Sequence, residues 1–321
     1  MLPVPRLGPY ELVTRIGLSS SAEVYAARHL ETGEEVSIKR LLPHANEDDE
    51  LREGFDEEIK RTLQSNQKGL IRGIELLEAP SASGTRGEAC LVMEFISGES
   101  FSELLKRKAN HPPTQSVLVH VAQELASILE GLHQRAPTPW VHGDLSAKNL
   151  MIGNDGEFTL IDLGSLGPAG ASPKDAGTPR YAAPERRNET QALSPCLDVY
   201  SLGVLLWELA SGRRWQQGEQ GDLPAESALK GSAIETLIMR ATAPEMDSRP
   251  KDASELKRAL RALATPTQGR EWLEWISEGT EQASAPSKEL SNKEGIIAWT
   301  GLLAALTLIL WVGLWFIAQM Q

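Results

Sequence analysis

The chain has 321 residues, enough for one large or two modest domains, and its 41% hydrophobic residues suffice for a buried core. A net charge of −12, with no Lys/Arg-rich run long enough to follow a phosphate backbone, argues against nucleic acid as a partner. Two cysteines, Cys90 and Cys196, stand in no metal-ligand spacing and exclude a disulfide framework.

Strand-like stretches cover 11–16, 23–28, 35–41 and 89–95, interrupted by a helical stretch over 50–64 with Phe55, Ile59 and Leu63 at four-residue spacing. Between the first two strands, Ile16-Gly17-Leu-Ser19-Ser-Ser-Ala22-Glu-Val24 has the shape of a hairpin turn. Its spacing matches a phosphate-covering loop, G-x-G-x-x-G-x-V, with only the first glycine kept, though Ser19 and Ala22 are small. Lys39, in Val36-Ser-Ile-Lys39, can point inward from its strand, and the following helix offers Glu58 or Glu57 as a partner.

The second part is mainly helical, with helices expected over 117–133, 198–210, 236–242 and 253–264. Between the first two of these lies His142-Gly-Asp144-Leu-Ser-Ala-Lys148-Asn149, then Asp162-Leu-Gly164. Leu150-Met-Ile152 and Phe158-Thr-Leu-Ile161 flank a Gly/Asn/Asp turn and read as a β-hairpin. Folding about Asp155/Gly156 sets Asn149 opposite Asp162, with Asp144 in the loop feeding the same end. Two of these oxygen-bearing side chains can hold Mg²⁺ and the third can accept a proton, the outline of a phosphoryl-transfer site.

From 265 the composition turns polar, a juxtamembrane linker running to 295. Within it Trp272, Trp275 and Ile276 can form one apolar stripe, read first as a short helix packing on the domain and second as a helix lying on lipid. Residues 296–318 are 23 positions without a charge, spanning ~35 Å as a helix, with Trp299 and Trp315 near the ends. A single transmembrane helix is expected there, placing the chain in the lipid bilayer. Met1 to Pro9 lacks the apolar core of a signal peptide, and Lys288 and Lys293 precede the span, so the bulk is expected in the cytoplasm. Gly301 and Ala305 form a small-xxx-small pair compatible with a homodimer.

The motifs together resemble the eukaryotic-like Ser/Thr protein kinases of bacteria, over residues 10–264. Carrying the likeness are Val36-Ser-Ile-Lys39, Glu58, His142-Gly-Asp144 with Asn149, Asp162-Leu-Gly164, Gly177-Thr-Pro-Arg-Tyr-Ala-Ala-Pro184-Glu185, Asp198-Val-Tyr-Ser-Leu-Gly203 and Ser248-Arg249-Pro250. The resemblance implies an α+β, bilobal protein-kinase fold: an N-lobe of about 10–94 with a five-stranded antiparallel sheet and one helix, and a mainly helical C-lobe of about 97–264. It implies ATP and Mg²⁺ as cofactors and protein substrates as partners, and it favours the bacterial inner membrane. ATP contacts would come from Ile16, Gly17, Ser19, Ala22, Val24 and Lys39, with Met93 as gatekeeper and Glu94 and Ile96 as hinge. Asp144 would be the catalytic base and Asn149 and Asp162 the metal ligands, while Glu58 would orient Lys39. Glu185 and Arg249 would form a buried ion pair, and Asp198 would brace the catalytic loop.

Departures from the family pattern are informative. Gly143 replaces the arginine that grips an activation-loop phosphate, so activity independent of loop phosphorylation is expected. Ser146 replaces the lysine usual two residues after the catalytic aspartate; Lys148 can reach the γ-phosphate instead, as in tyrosine kinases. Thr178, expected to hydrogen-bond near Asp144 and shape the acceptor pocket, favours Ser/Thr acceptors, with dual specificity left open. The eroded glycine loop motivates one alternative, a membrane-anchored pseudokinase scaffold. His-Gly-Asp-Leu-x-x-x-Asn motivates another, a small-molecule phosphotransferase, against which the 177–185 segment and the Asp198 helix argue.

Overall fold

The computed structural model describes residues 6–79, 87–173, 177–187, 191–216, 218 and 221–278. The N-terminal part contains β1 (Arg6–Leu7), β2 (Tyr10–Leu18), β3 (Ala22–His29), β4 (Glu35–Leu41), α1 (Pro43–Asn46), α2 (Asp49–Gln64), β5 (Gly73–Ala79) and β6 (Glu88–Glu94). Its strands form one antiparallel sheet in the order β1-β2-β3-β4-β6-β5. The sheet therefore has six strands where five were expected, and α1 adds a short helix to the one foreseen. Two irregularities in the β2–β3 register, between Leu12/Thr14 and Arg15/Gly17, break the ladder where an extra residue increases the local twist. Strand β4 alternates as a pleated strand must: Val36 and Ile38 enter a small core with Leu12, Ala27 and Val92, while Lys39 takes the other face.

Helix α2 is capped by Asp48, whose carboxylate accepts the Glu50 and Leu51 amides. Phe55 and Ile59 are buried as their spacing predicts, but Leu63 is exposed. Each four-residue step overshoots a turn by about 40°, so Leu63 rotates off the core face and Thr62 takes its place.

The C-terminal part comprises β7 (Gly98–Ser100), α3 (Phe101–Arg107), α4 (Gln115–His133), β8 (Trp140–Val141), β9 (Leu150–Gly153), β10 (Phe158–Leu160), β11 (Gly167–Pro168), α5 (Pro195–Ser211), α6 (Ala233–Ala241), α7 (Ala253–Arg261) and α8 (Gln268–Ser277). Helix α5 is buried on all sides and ends at Gly212, whose φ of 66° supplies the left-handed stop. Helices α4, α6 and α7 pack against it.

The compact unit runs to Ile276, past Ala264. Two tryptophans explain the extension. Trp272 is 1% exposed, stacks on Phe158 with centroids 5.1 Å apart, and donates its indole N–H to the Gly156 carbonyl at 2.9 Å. Lys108 lies 4.6 Å from the Trp275 ring and donates to the Trp275 carbonyl, while Arg107 donates to the Ile276 carbonyl at 2.9 Å. Helix α8 thus packs on the domain, the first of the two readings. Trp272→Phe should keep the ring in place and strand the Gly156 carbonyl, costing about 1–3 kcal/mol in urea unfolding. An unchanged midpoint would show that this hydrogen bond contributes nothing. Among the described residues no helix is long and apolar enough to cross a membrane. The 296–318 segment, with Gly301 and Ala305, lies outside them, as does the linker from 279.

Candidate active site

Lys39 stands opposite Val24 on β3 and Leu91 on β6, on the face of the sheet covered by α2. Its ammonium meets Glu58 Oε1 at 2.6 Å and Asp162 Oδ1 at 3.6 Å. Glu57, the rival partner, lines the same cavity but pairs with Lys60 and Arg61 instead. Burial opposes the charge on Lys39, but Glu58 and Asp162 outweigh it and raise its pKa. Burial likewise works against an ionised Asp162, yet Lys39 and the Gly164 amide at 3.1 Å hold its pKa below the ordinary value. Asp162 therefore carries its negative charge at neutral pH. Leu163 beside it is fully buried in the main core, which fixes the orientation of this turn.

Lys39, Glu58 and Ala22 line one cavity of 680 Å³ with Phe55, Arg61 and Gly164. The β2–β3 turn above it is closed by Ser19, whose hydroxyl donates to the Ala22 carbonyl at 3.0 Å and accepts the Ala22 amide at 2.9 Å. Gly17 pairs with Val24, and Ile16, at the second irregularity, is half exposed. Met93 is buried in β6 between Ser37 and Gly73. Glu94 accepts the Arg72 amide at 2.9 Å, and Ile96 packs on the main core. Ile16, Met93, Glu94 and Ile96 do not line the Lys39 cavity.

The second cluster surrounds Asp144. Its Oδ1 accepts the Thr178 amide at 2.5 Å and its Oδ2 accepts Asn149 Nδ2 at 2.9 Å. The Thr178 contact is made by the main chain; the Thr178 hydroxyl is buried without a hydrogen bond among the described residues. Lys148 is exposed and lines a cavity of 430 Å³ with Thr178. Ser146 is fully buried, so it cannot stand in for a charged side chain.

The β9–β10 hairpin ties the clusters together, with one correction. Its register pairs Leu150 with Leu160, and the Ile161 amide donates to the Asn149 carbonyl at 3.0 Å. Ile161, not Asp162, therefore lies across from Asn149. The expectation assumed a two-residue turn, whereas the chain makes a three-residue loop ending at Gly156, with φ of 81°. Asp162 still follows immediately, 42% exposed at its side chain. The donor set suits Mg²⁺: a charged carboxylate, plus the Asn149 side-chain oxygen left over once its amide nitrogen is engaged by Asp144.

Asp198 braces the loop from below. It is 1% exposed and accepts His133 Nε2 at 3.0 Å, the His142 amide at 2.8 Å and the Gly143 amide at 2.9 Å. Arg249 and Glu185 form a two-pronged pair at 2.6 and 2.8 Å. Gly143 has φ of 78°, a conformation that disfavours any side chain, and a Cβ there would stand 3.0 Å from the Ser165 carbonyl.

Three contributors escape a sequence reading. His133 ends α4 nine residues before His142; its position there was the available signal. Arg61 donates to the Gly164 carbonyl at 2.9 Å, binding α2 to the Asp162 turn. Arg186 is 3% exposed and donates to the Gly143 carbonyl at 3.4 Å, placing a cation beneath the glycine that replaces arginine. Nothing in local spacing marks it.

Comparison with known proteins places the chain in a family. Residues 10–268 match the family described as protein kinase domain. Serine/threonine-protein kinase ATG1c of Arabidopsis thaliana is 30% identical over 214 residues, 64% of this chain and 27% of that protein. PknA of Corynebacterium glutamicum is 28% identical over 210 residues, 64% of this chain and 43% of its own. The serine/threonine-protein kinase drp72 of Corynebacterium efficiens is 27% identical over 273 residues, covering 80% of this chain and 51% of its own. The chain thus spans roughly a quarter to a half of these relatives. It belongs to the protein kinase family.

Proposed function

We propose that this chain is an ATP- and Mg²⁺-dependent protein kinase that phosphorylates serine and threonine hydroxyls of protein substrates while tethered to the cytoplasmic face of a membrane. The observation that carries the reading is Lys39, paired with Glu58 at 2.6 Å and within 3.6 Å of an ionised Asp162. In this reading Lys39 balances charge on the nucleotide phosphates, and Asn149 and Asp162 hold Mg²⁺, which neutralises charge on the β- and γ-phosphates. Asp144 orients the acceptor hydroxyl and takes its proton as the new oxygen–phosphorus bond forms and the bond to the β-phosphate oxygen breaks. Lys148, beside Thr178, offsets charge on the moving phosphoryl group.

Family membership and the serine/threonine kinases among the relatives support the chemistry. The uncharged 296–318 segment supports the tether. One observation favours a second reading, an anchored scaffold without catalysis: the loop that would cover the phosphates is closed on itself through Ser19. Calorimetry separates the two. The kinase should take up ATP only with Mg²⁺ and transfer label to a protein acceptor, and the membrane fraction should hold it until 296–318 is deleted. Folded protein that takes up no ATP would remove the catalytic reading.

Gly143 and Arg186 lead to a further prediction. With a buried cation already under the catalytic loop, phosphatase treatment should leave the transfer rate within about twofold. A drop of tenfold or more would show that a loop phosphate is needed.

A further inference from the structure

The acceptor cavity at Lys148 and Thr178 does not end there. A second cavity of 340 Å³ shares Ser102, Arg180 and Tyr181 with it and extends along α3 to the residues after α5. Its walls carry Lys106, Arg180, Arg213 and Arg214, so with Lys148 the combined groove presents five cations. The chain as a whole has a net charge of −12, which sets this face apart.

The carboxylate in the groove offsets only one of these cations, Arg180. Glu208 is 2% exposed and already accepts the Tyr181 hydroxyl at 2.6 Å and the Trp215 amide at 2.9 Å, with Arg180 at 3.7 Å. Nearby Glu103 is engaged at the start of α3 by Ser100, and Glu99 pairs with Arg107. Arg213 pairs with Glu226, both well exposed, an arrangement that holds little energy. Lys148 and Arg214 have no ion-pair partner among the described residues, and Lys106 makes no direct ion pair, although, after the Ser100 hydrogen bonds, its charge helps lower the pKa of Glu103. With five cations along the groove and Lys106, Lys148 and Arg214 outside any direct ion pair, the surplus of positive charge attracts anionic side chains and repels cationic ones.

We propose that this groove selects acceptor segments in which Asp or Glu side chains lie within a few residues of the phosphorylated Ser or Thr. The assignment rests on the kinase reading above. Lys148 and Thr178 mark the end nearest Asp144, and Lys106 with Arg214 supplies the discrimination further out. Both are surface side chains, so reversing them should leave the fold intact.

Full-length protein in detergent micelles would be given three peptide sets with a fixed Ser/Thr centre and acidic, neutral or basic flanks on either side. The acidic set should be preferred over the neutral set by about tenfold in kcat/KM, carried by KM and shrinking as salt is raised. Lys106→Glu combined with Arg214→Glu should abolish or invert that preference without changing the melting temperature. Equal use of the sets, a basic preference, or a preference that survives the double reversal overturns the groove assignment alone. Transfer to none of the sets overturns the kinase reading and this assignment together.

Discussion

Asp144→Asn should lower phosphoryl transfer by about 10²–10⁴-fold while leaving ATP affinity within about twofold. Among the described residues of the acceptor cluster the carboxylate is the one group able to take a hydroxyl proton, and it is pre-oriented by two donors, the Thr178 amide and Asn149 Nδ2. Asparagine keeps the size but has only one acceptor oxygen, so one of those donors loses its partner. A modest loss of stability should accompany the loss of rate, and thermal melting would keep the two effects apart. Transfer of labelled phosphate from ATP measures the first. A folded variant retaining more than about a tenth of the wild-type rate would remove Asp144 from the role of proton acceptor.

Arg249→Leu should destabilise the domain by about 3–5 kcal/mol, read as a fall in the urea midpoint. The Arg249 side chain is fully buried, and besides Glu185 it serves the Ala243 and Pro244 carbonyls at 2.6 and 2.8 Å. Its guanidinium also lies 4.8 Å from the Tyr200 ring. Leucine would leave the Glu185 carboxylate, 17% exposed at its side chain, and two carbonyls without donors. Removing the stranded charge as well, in Glu185→Leu with Arg249→Leu, should restore part of the loss, because an apolar pair can be nearly as stable as a buried ionic one. A cost below about 1 kcal/mol for the single change would mean that the pair is not a structural clamp.

The site was more legible in the sequence than the scaffold. Lys39 could be read because it closes the Val36-Ser-Ile-Lys39 motif of the family pattern, and Glu58 because the same pattern placed it on α2. Asp144, Asn149 and Asp162 could be read because they flank a hairpin whose strands are short and apolar. Strand β5 was missed because Gly73–Ala79 is a half-exposed edge strand whose glutamates blur the alternation. Helix α3 was missed although Ser100 and Glu103 form a capping box, since only about two turns follow Ser100. Arg186 and His133 act through partners 43 and 65 residues away, and for Arg186 no local pattern reveals it.

Helix α8 sets where the protein can be cut. Trp272 shields Phe158 and occupies the carbonyl at the tip of the very hairpin whose far end presents Asn149 and Asp162. A recombinant fragment stopped at Ala264 would lose Trp272 and bare the Phe158 ring behind the hairpin end that carries Asn149 and Asp162. Expression boundaries for this protein belong beyond Ser277.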